Sequence, residues 1–109
     1  MSDLKKRVAL VTGATGGIGF EVAKRLGSEG YIVLLNGIED EAGAKCVEEL
    51  SAEGVTAAYY GFDVTNEAAV NSSIQAIGEK YGKIDVLVNN AGGLGGRQRF
   101  EEMTTDFYR

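Results

Sequence analysis

The sequence contains no histidine and a single cysteine, Cys46, in 109 residues. With no imidazole and one thiol, the chain has too few ligands for a zinc or redox-metal centre. A lone cysteine cannot close an internal disulfide, which fits a reducing compartment. Cys46 falls at a core-facing position of an expected helix and reads as an inert buried thiol. Basic clusters are scarce too, and none exceeds Lys5-Lys6-Arg7, which reads as a solvated lead into the first strand. Together with a net charge of −5, this argues against a nucleic-acid surface or an anionic membrane as partner. The N-terminus is too polar for a signal peptide, and no apolar run approaches the roughly 18 residues of a membrane span. These absences point to a cytoplasmic chain.

What is present is of ordinary globular composition, 44% hydrophobic and 25% charged. A chain of 109 residues is one domain or part of one. If compact, it buries roughly two-thirds of its unfolded surface. Strand and helix patterns alternate four times. Residues 7–12 read as a buried strand, and residues 17–29 as a helix with Ile18, Val22, Ala23 and Leu26 on its inner face. Glu21 and Arg25 form an outer pair on that helix, and Gly30 ends it as a left-handed C-terminal residue. Ile32 to Leu35 is the second strand. The second helix, residues 39–53, turns Ala42, Cys46, Val47 and Leu50 inward and Glu41 and Lys45 outward; Gly54 closes it. Val55 to Phe62 is the third strand. Thr65 then reads as the N-cap of a helix with Glu67 in its first turn, an apolar face of Ala69, Val70, Ile74 and Ile77, and Gly82 as its stop. Ile84 to Val88 is the fourth strand.

Strands alternating with helices in this way imply right-handed crossovers and a parallel sheet. The strands are continuous apolar runs because helices cover both faces. The fold class expected is α/β, a Rossmann-like parallel sheet with helices on both faces and strand order 3-2-1-4, an incomplete doubly wound fold. Residues 92–103 read as a glycine-rich, charged loop. Thr104 would cap a last helix of barely one turn, too short to repay its nucleation. The expectation is therefore a dinucleotide-binding domain over residues 1–109, truncated after the fourth strand and the start of the fourth helix.

Thr12-Gly13-Ala14-Thr15-Gly16-Gly17-Ile18-Gly19 lies between the first strand and the first helix. Gly13 permits a sharp exit from the strand. Gly17 lets the backbone approach a pyrophosphate, and Gly19 lets the helix lie close to the sheet. The Thr15 hydroxyl and the N–H of Ile18, at a helix N-terminus, can donate to phosphate oxygens. No Lys-Ser or Lys-Thr follows Gly19, so this is not a Walker loop. The spacing is G-x-x-x-G-x-G rather than the G-x-G-x-x-G of long-chain dehydrogenases.

That spacing, Asp63-Val64 after the third strand and Asn89-Asn90-Ala91-Gly92 after the fourth together resemble the short-chain dehydrogenase/reductase family. The resemblance covers the whole chain. It implies that Gly13 to Gly19 cradle the pyrophosphate and that Asp63 and Val64 border the adenine, with the Asp63 carboxylate taking the exocyclic amine. By the same resemblance, Asn90, Ala91 and Gly92 lie along the ribose and toward the nicotinamide, and Asn89 ties the fourth strand to its neighbour. These strand ends also line the crevice where such sheets bind ligands.

At the acidic position after the second strand, which receives a ribose 2′-hydroxyl in many dinucleotide folds, this chain has Gly37. Ile38 follows where NADP-preferring members of the family often carry Arg, and Gly16 occupies another position that is often basic. A 2′-phosphate would lack its usual charge-assisted bonds, and Glu39 and Asp40 would repel it. The expectation is NAD in preference to NADP.

The resemblance implies catalysis by a Tyr-x-x-x-Lys pair with an upstream Ser, on a small alcohol or ketone. None of Tyr31, Tyr59, Tyr60, Tyr81 and Tyr108 has a lysine four residues later, so no catalytic residue is assigned and the 109-residue chain alone is expected to be inactive. Val86-Leu87-Val88 would be an uncovered apolar edge, which predicts self-association or a homo-oligomer. Two other readings stand beside this one: a stand-alone nucleotide-binding module with a sensing or partner role, and a scaffold that has lost binding. Within the enzyme class, 3-oxoacyl carrier-protein reductase is the main rival to a sugar or hydroxy-acid dehydrogenase.

Overall fold

The computed structural model describes residues 6–90. Its elements are β1 (Val8–Thr12), α1 (Gly17–Ser28), β2 (Ile32–Gly37), α2 (Asp40–Ala52), β3 (Ala57–Gly61), α3 (Glu67–Tyr81) and β4 (Val86–Asn89). All strand pairs are parallel and the order is β3-β2-β1-β4, as the alternating pattern predicts. Leu10 sits opposite Leu34 on one side and Leu87 on the other, and Leu34 opposite Ala58.

Alternation along each strand divides the core in two. Val8, Leu10, Ile32 and Leu34 face α3, where they meet Val70, Ile74 and Ile77 together with Phe62 and Ile84. Val11, Val33 and Leu35 face the other way, onto Ala23 of α1 and Cys46 and Leu50 of α2. Every residue of β1, and of β2 through Asn36, is buried for this reason. β3 and β4 each have one strand neighbour among the described residues, and β4 is only half-buried along its length.

The helix stops follow the sequence. Gly30, Gly54 and Gly82 come directly after α1, α2 and α3 or one residue later, with φ of 96°, 85° and 81°, the left-handed region that glycine enters without a Cβ clash. Three local expectations need correcting. The N-cap of α3 is Asn66, not Thr65: the Asn66 side chain accepts from Ala69 N at 3.1 Å, while the Thr65 hydroxyl is turned to Asp63. Arg25 pairs with Glu29 at 2.7 Å on an exposed face, rather than with Glu21. Ile18 is not on the inner face of α1 but 75% exposed; the first turn of the helix meets the strand ends through Gly19 instead. β3 and β4 also begin two residues later than their apolar runs suggest. Ile84 is nonetheless fully buried, and Asp85 Oδ2 receives Val8 N at 2.7 Å.

Candidate functional site

The carboxyl ends of β1, β2 and β3 open into a groove of about 690 Å³. Its walls come from the glycine turn after β1 (Gly13, Thr15, Gly16), from the end of β2 and the residues after it (Asn36 to Glu39), and from the segment after β3 (Phe62 to Thr65). Of the residues singled out in the sequence, Gly13, Thr15, Gly16, Gly37, Ile38, Asp63 and Val64 therefore line one cavity. Gly17, Ile18 and Gly19 form the first turn of α1 beside it. Asn90 is placed next to Gly13. Ala91 and Gly92 lie outside the described residues.

The turn is held from both flanking strands. Gly13, with φ 59°, donates its N–H to Asn36 Oδ1 at 3.2 Å, and Ala14 N donates to the Asn36 carbonyl at 2.8 Å. From the other side, Asn90 Nδ2 donates to the Gly13 carbonyl at 3.1 Å. Thr12 Oγ1 lies 3.1 Å from Asn89 Oδ1 and 3.4 Å from the Val88 carbonyl, which ties β1 to β4 one residue earlier. A Cβ on Gly19 would collide with the Gly13 carbonyl oxygen and sit 2.7 Å from Asn90 Nδ2. The helix start and the strand end are thus in direct backbone contact, and the absence of a side chain at 19 permits it.

The electrostatics at this point differ from those of the other helices. α2 begins with Asp40 and Glu41 and α3 with Glu67, whereas the first turn of α1 carries no acid; α1, like α2, has no side-chain cap. The first N–H groups of a helix have no intrahelical acceptor, and their partial positive charge is here uncompensated. Among the described residues, the groove lining includes Glu39 and Asp63 and no lysine or arginine. Asp63 Oδ1 accepts from Thr65 N at 2.9 Å and Thr65 Oγ1 at 2.7 Å; these two bonds hold its carboxyl below the usual aspartate range. The exposed side chain of Ile38, at 77%, is one of the two large apolar surfaces left open among the described residues, with Ile18 as the other.

One residue of the site, Asn36, went unread in the sequence, and so did one contact of Cys46. Asn36 is 1% exposed; besides receiving Gly13 N, it donates Nδ2 to the carbonyls of Phe62 at 2.8 Å and Tyr60 at 3.2 Å. One amide thus joins all three walls of the groove. Its signal was a polar side chain closing an otherwise apolar run. Cys46, read as a core thiol, is buried as expected, but its Sγ also lies 3.6 Å from the Thr15 carbonyl. Burial first, and the nearby Glu49 second, push the thiol pKa up, which keeps it a donor beneath the turn.

Residues 7–109 match the short chain dehydrogenase family. The chain belongs to that family. It is 47% identical over 89 residues to an uncharacterized oxidoreductase, YxjF, of Bacillus subtilis, which covers 82% of this chain and 35% of that protein. It is 42% identical to a 3beta-hydroxysteroid dehydrogenase of Mediterraneibacter gnavus over 97% of this chain and 38% of the relative. Among solved structures, a variant of the actinorhodin polyketide ketoreductase with NADPH superposes with a TM-score of 0.78 at 42% identity, over 83% of this chain and 34% of that one. The chain therefore spans somewhat over a third of the length of the curated relatives it matches.

Proposed function

We propose that this chain is the dinucleotide-binding portion of a nicotinamide-dependent oxidoreductase that moves hydride between its cofactor and an alcohol or ketone. The observation that carries the reading is the bare, uncapped N-terminus of α1 at the mouth of the groove, since such an end attracts phosphate through its free N–H groups and its dipole. Gly13, Thr15, Gly16, Gly17, Ile18 and Gly19 would hold the pyrophosphate. Gly17, with φ 58° and nothing within 4 Å of a would-be Cβ, leaves its backbone open to a close approach. Gly37 and Ile38 would border the adenosine ribose. Asp63 and Val64 would border the adenine, where Ile38 offers an apolar surface to a flat ring and the Asp63 carboxylate an acceptor to its amine. Asn90, Ala91 and Gly92 would continue toward the nicotinamide. The bound cofactor supplies hydride exchange at its nicotinamide; the residues of this chain bind and orient it.

The groove residues fit such a ligand in polarity and in electrostatic sign, with donors at the helix start and apolar surface at the adenine end. They also favour NAD. With Glu39 and Asp63 lining the groove and no cation there among the described residues, a 2′-phosphate would meet repulsion without a charge-assisted partner from them. The NADPH-bound relative supports a nicotinamide dinucleotide as the ligand, and the preference for NAD rests on this chain's own lining. The domain assigned to residues 1–109 would serve as the cofactor half of a longer enzyme and be inactive alone. Backbone amide shifts on addition of NADH test the placement. The expected result is saturable change at Gly13–Gly19, Gly37–Ile38 and Asp63–Val64. Change confined to other surfaces would overturn it.

A further inference from the structure

A second cavity, of about 380 Å³, opens at the other end of the sheet. Its apolar wall is the half-buried Ala58 beside the Tyr81 ring, over Val8 and Ile32, which are 1% and 4% exposed at the amino ends of β1 and β2. Lys6, Lys80 and Lys83 rim it, with the Tyr81 ring and Thr56 between them. Three of the seven lysines and arginines in the described residues thus meet at one opening of a chain whose net charge is −5. Among the described residues, no Asp or Glu lines the cavity. The nearby acid is Asp85, whose Oδ2 lies 3.3 Å from Lys83 Nζ and is also taken by Val8 N. Lys6 and Lys80 make no ion pair among the described residues, and Lys80 Nζ stands 5.5 Å from the centroid of the Tyr81 ring. Three ammonium groups around one opening repel each other, and a single carboxylate offsets only one of them. An anion seated between them relieves that repulsion, and the wall behind it is hydrocarbon.

We propose that this cavity binds an amphipathic anion: a carboxylate or phosphate head held by Lys6, Lys80 and Lys83, with a short alkyl or acyl body against Ala58 and the Tyr81 ring. Its volume lies within the range of small-molecule sites. It lies at the amino ends of the strands and the dinucleotide groove at their carboxyl ends, so the two can fill together. The test is a titration of the protein with octanoate, followed by backbone amide shifts, with inorganic phosphate and octan-1-ol as comparison probes. Saturable shifts at residues 6–8, 56–58 and 80–83 are expected, with octanoate tighter than either comparison probe and unaffected by NADH. Lys6→Gln/Lys80→Gln should weaken octanoate roughly twenty-five-fold, about fivefold for each charge removed. Lys24→Gln/Lys45→Gln, on α1 and α2, should leave it unchanged. Phosphate binding as tightly as octanoate would overturn the apolar half of the proposal, and octanol doing so the ionic half. Equal weakening by both double variants would show non-specific attraction and overturn the site. None of these failures touches NADH binding in the groove.

Discussion

Gly16 and Gly19 lie in the same turn three residues apart, yet space constrains only one of them. A Cβ at 19 would strike the Gly13 carbonyl, whereas one at 16 would meet nothing within 4 Å. Gly19→Ala is therefore expected to lower unfolding stability by about 2–3 kcal/mol through overpacking of backbone on backbone. Gly16→Ala should cost under about 1 kcal/mol; urea denaturation of the two variants checks the contrast. Asp63 offers a test in pH. Its carboxyl is held low by the Thr65 N–H first and the Thr65 hydroxyl second. A depressed folded pKa stabilises the protein above the ordinary aspartate value, and the contribution is lost as pH falls through the folded one. Thr65→Val removes the hydroxyl and keeps the N–H bond. The Asp63 titration, followed by carboxyl carbon shifts, should move upward toward the ordinary range without reaching it.

At the scale of the element, the cap of α3 separates pattern from geometry. The sequence pattern puts the cap at Thr65, and Asn66 beside it is as good an N-cap type. Asp63 decides between them by engaging the Thr65 side chain, which leaves Asn66 to accept from Ala69. Asn66→Ala is expected to destabilise the protein by about 1 kcal/mol in thermal or urea unfolding, the cost of an unmet helix N–H. The order and type of every described element were legible, because continuous apolar strands and 3.6-residue helical faces leave a parallel sheet as the consistent solution. The groove-lining glycines and Asp63 were legible for a similar reason: they fall at strand ends, where the sheet topology brings them together. What escaped were interactions between residues distant in sequence. The reach of Asn36 from β2 to the turn after β1 and to the carbonyls of Tyr60 and Phe62 leaves no periodic trace, only one polar letter in an apolar run. The exposure of Ile18 escaped as well, since a helical stripe does not say which residue of the first turn meets the strand ends.

For the molecule as a whole, the sheet has two unequal edges. β3 is packed by α2, with the Tyr59 ring lying against Gly43. β4 pairs only with β1 among the described residues and keeps Val86, Leu87 and Val88 half-buried. An apolar strand with one side unpaired is a template for a further strand. Light scattering on the 109-residue chain should accordingly show mass above the monomer that rises with concentration. A constant monomer mass across the range would contradict this. At the carboxyl ends of the strands, the groove is proposed to hold the dinucleotide and to meet its ribose with no cation among the described residues. Calorimetric titration of the chain with NADH and, separately, with NADPH tests that most directly. Saturable one-to-one binding of NADH is expected, with NADPH weaker by roughly tenfold for the uncompensated 2′-phosphate. NADPH binding as tightly as NADH, or no binding of either, would contradict it.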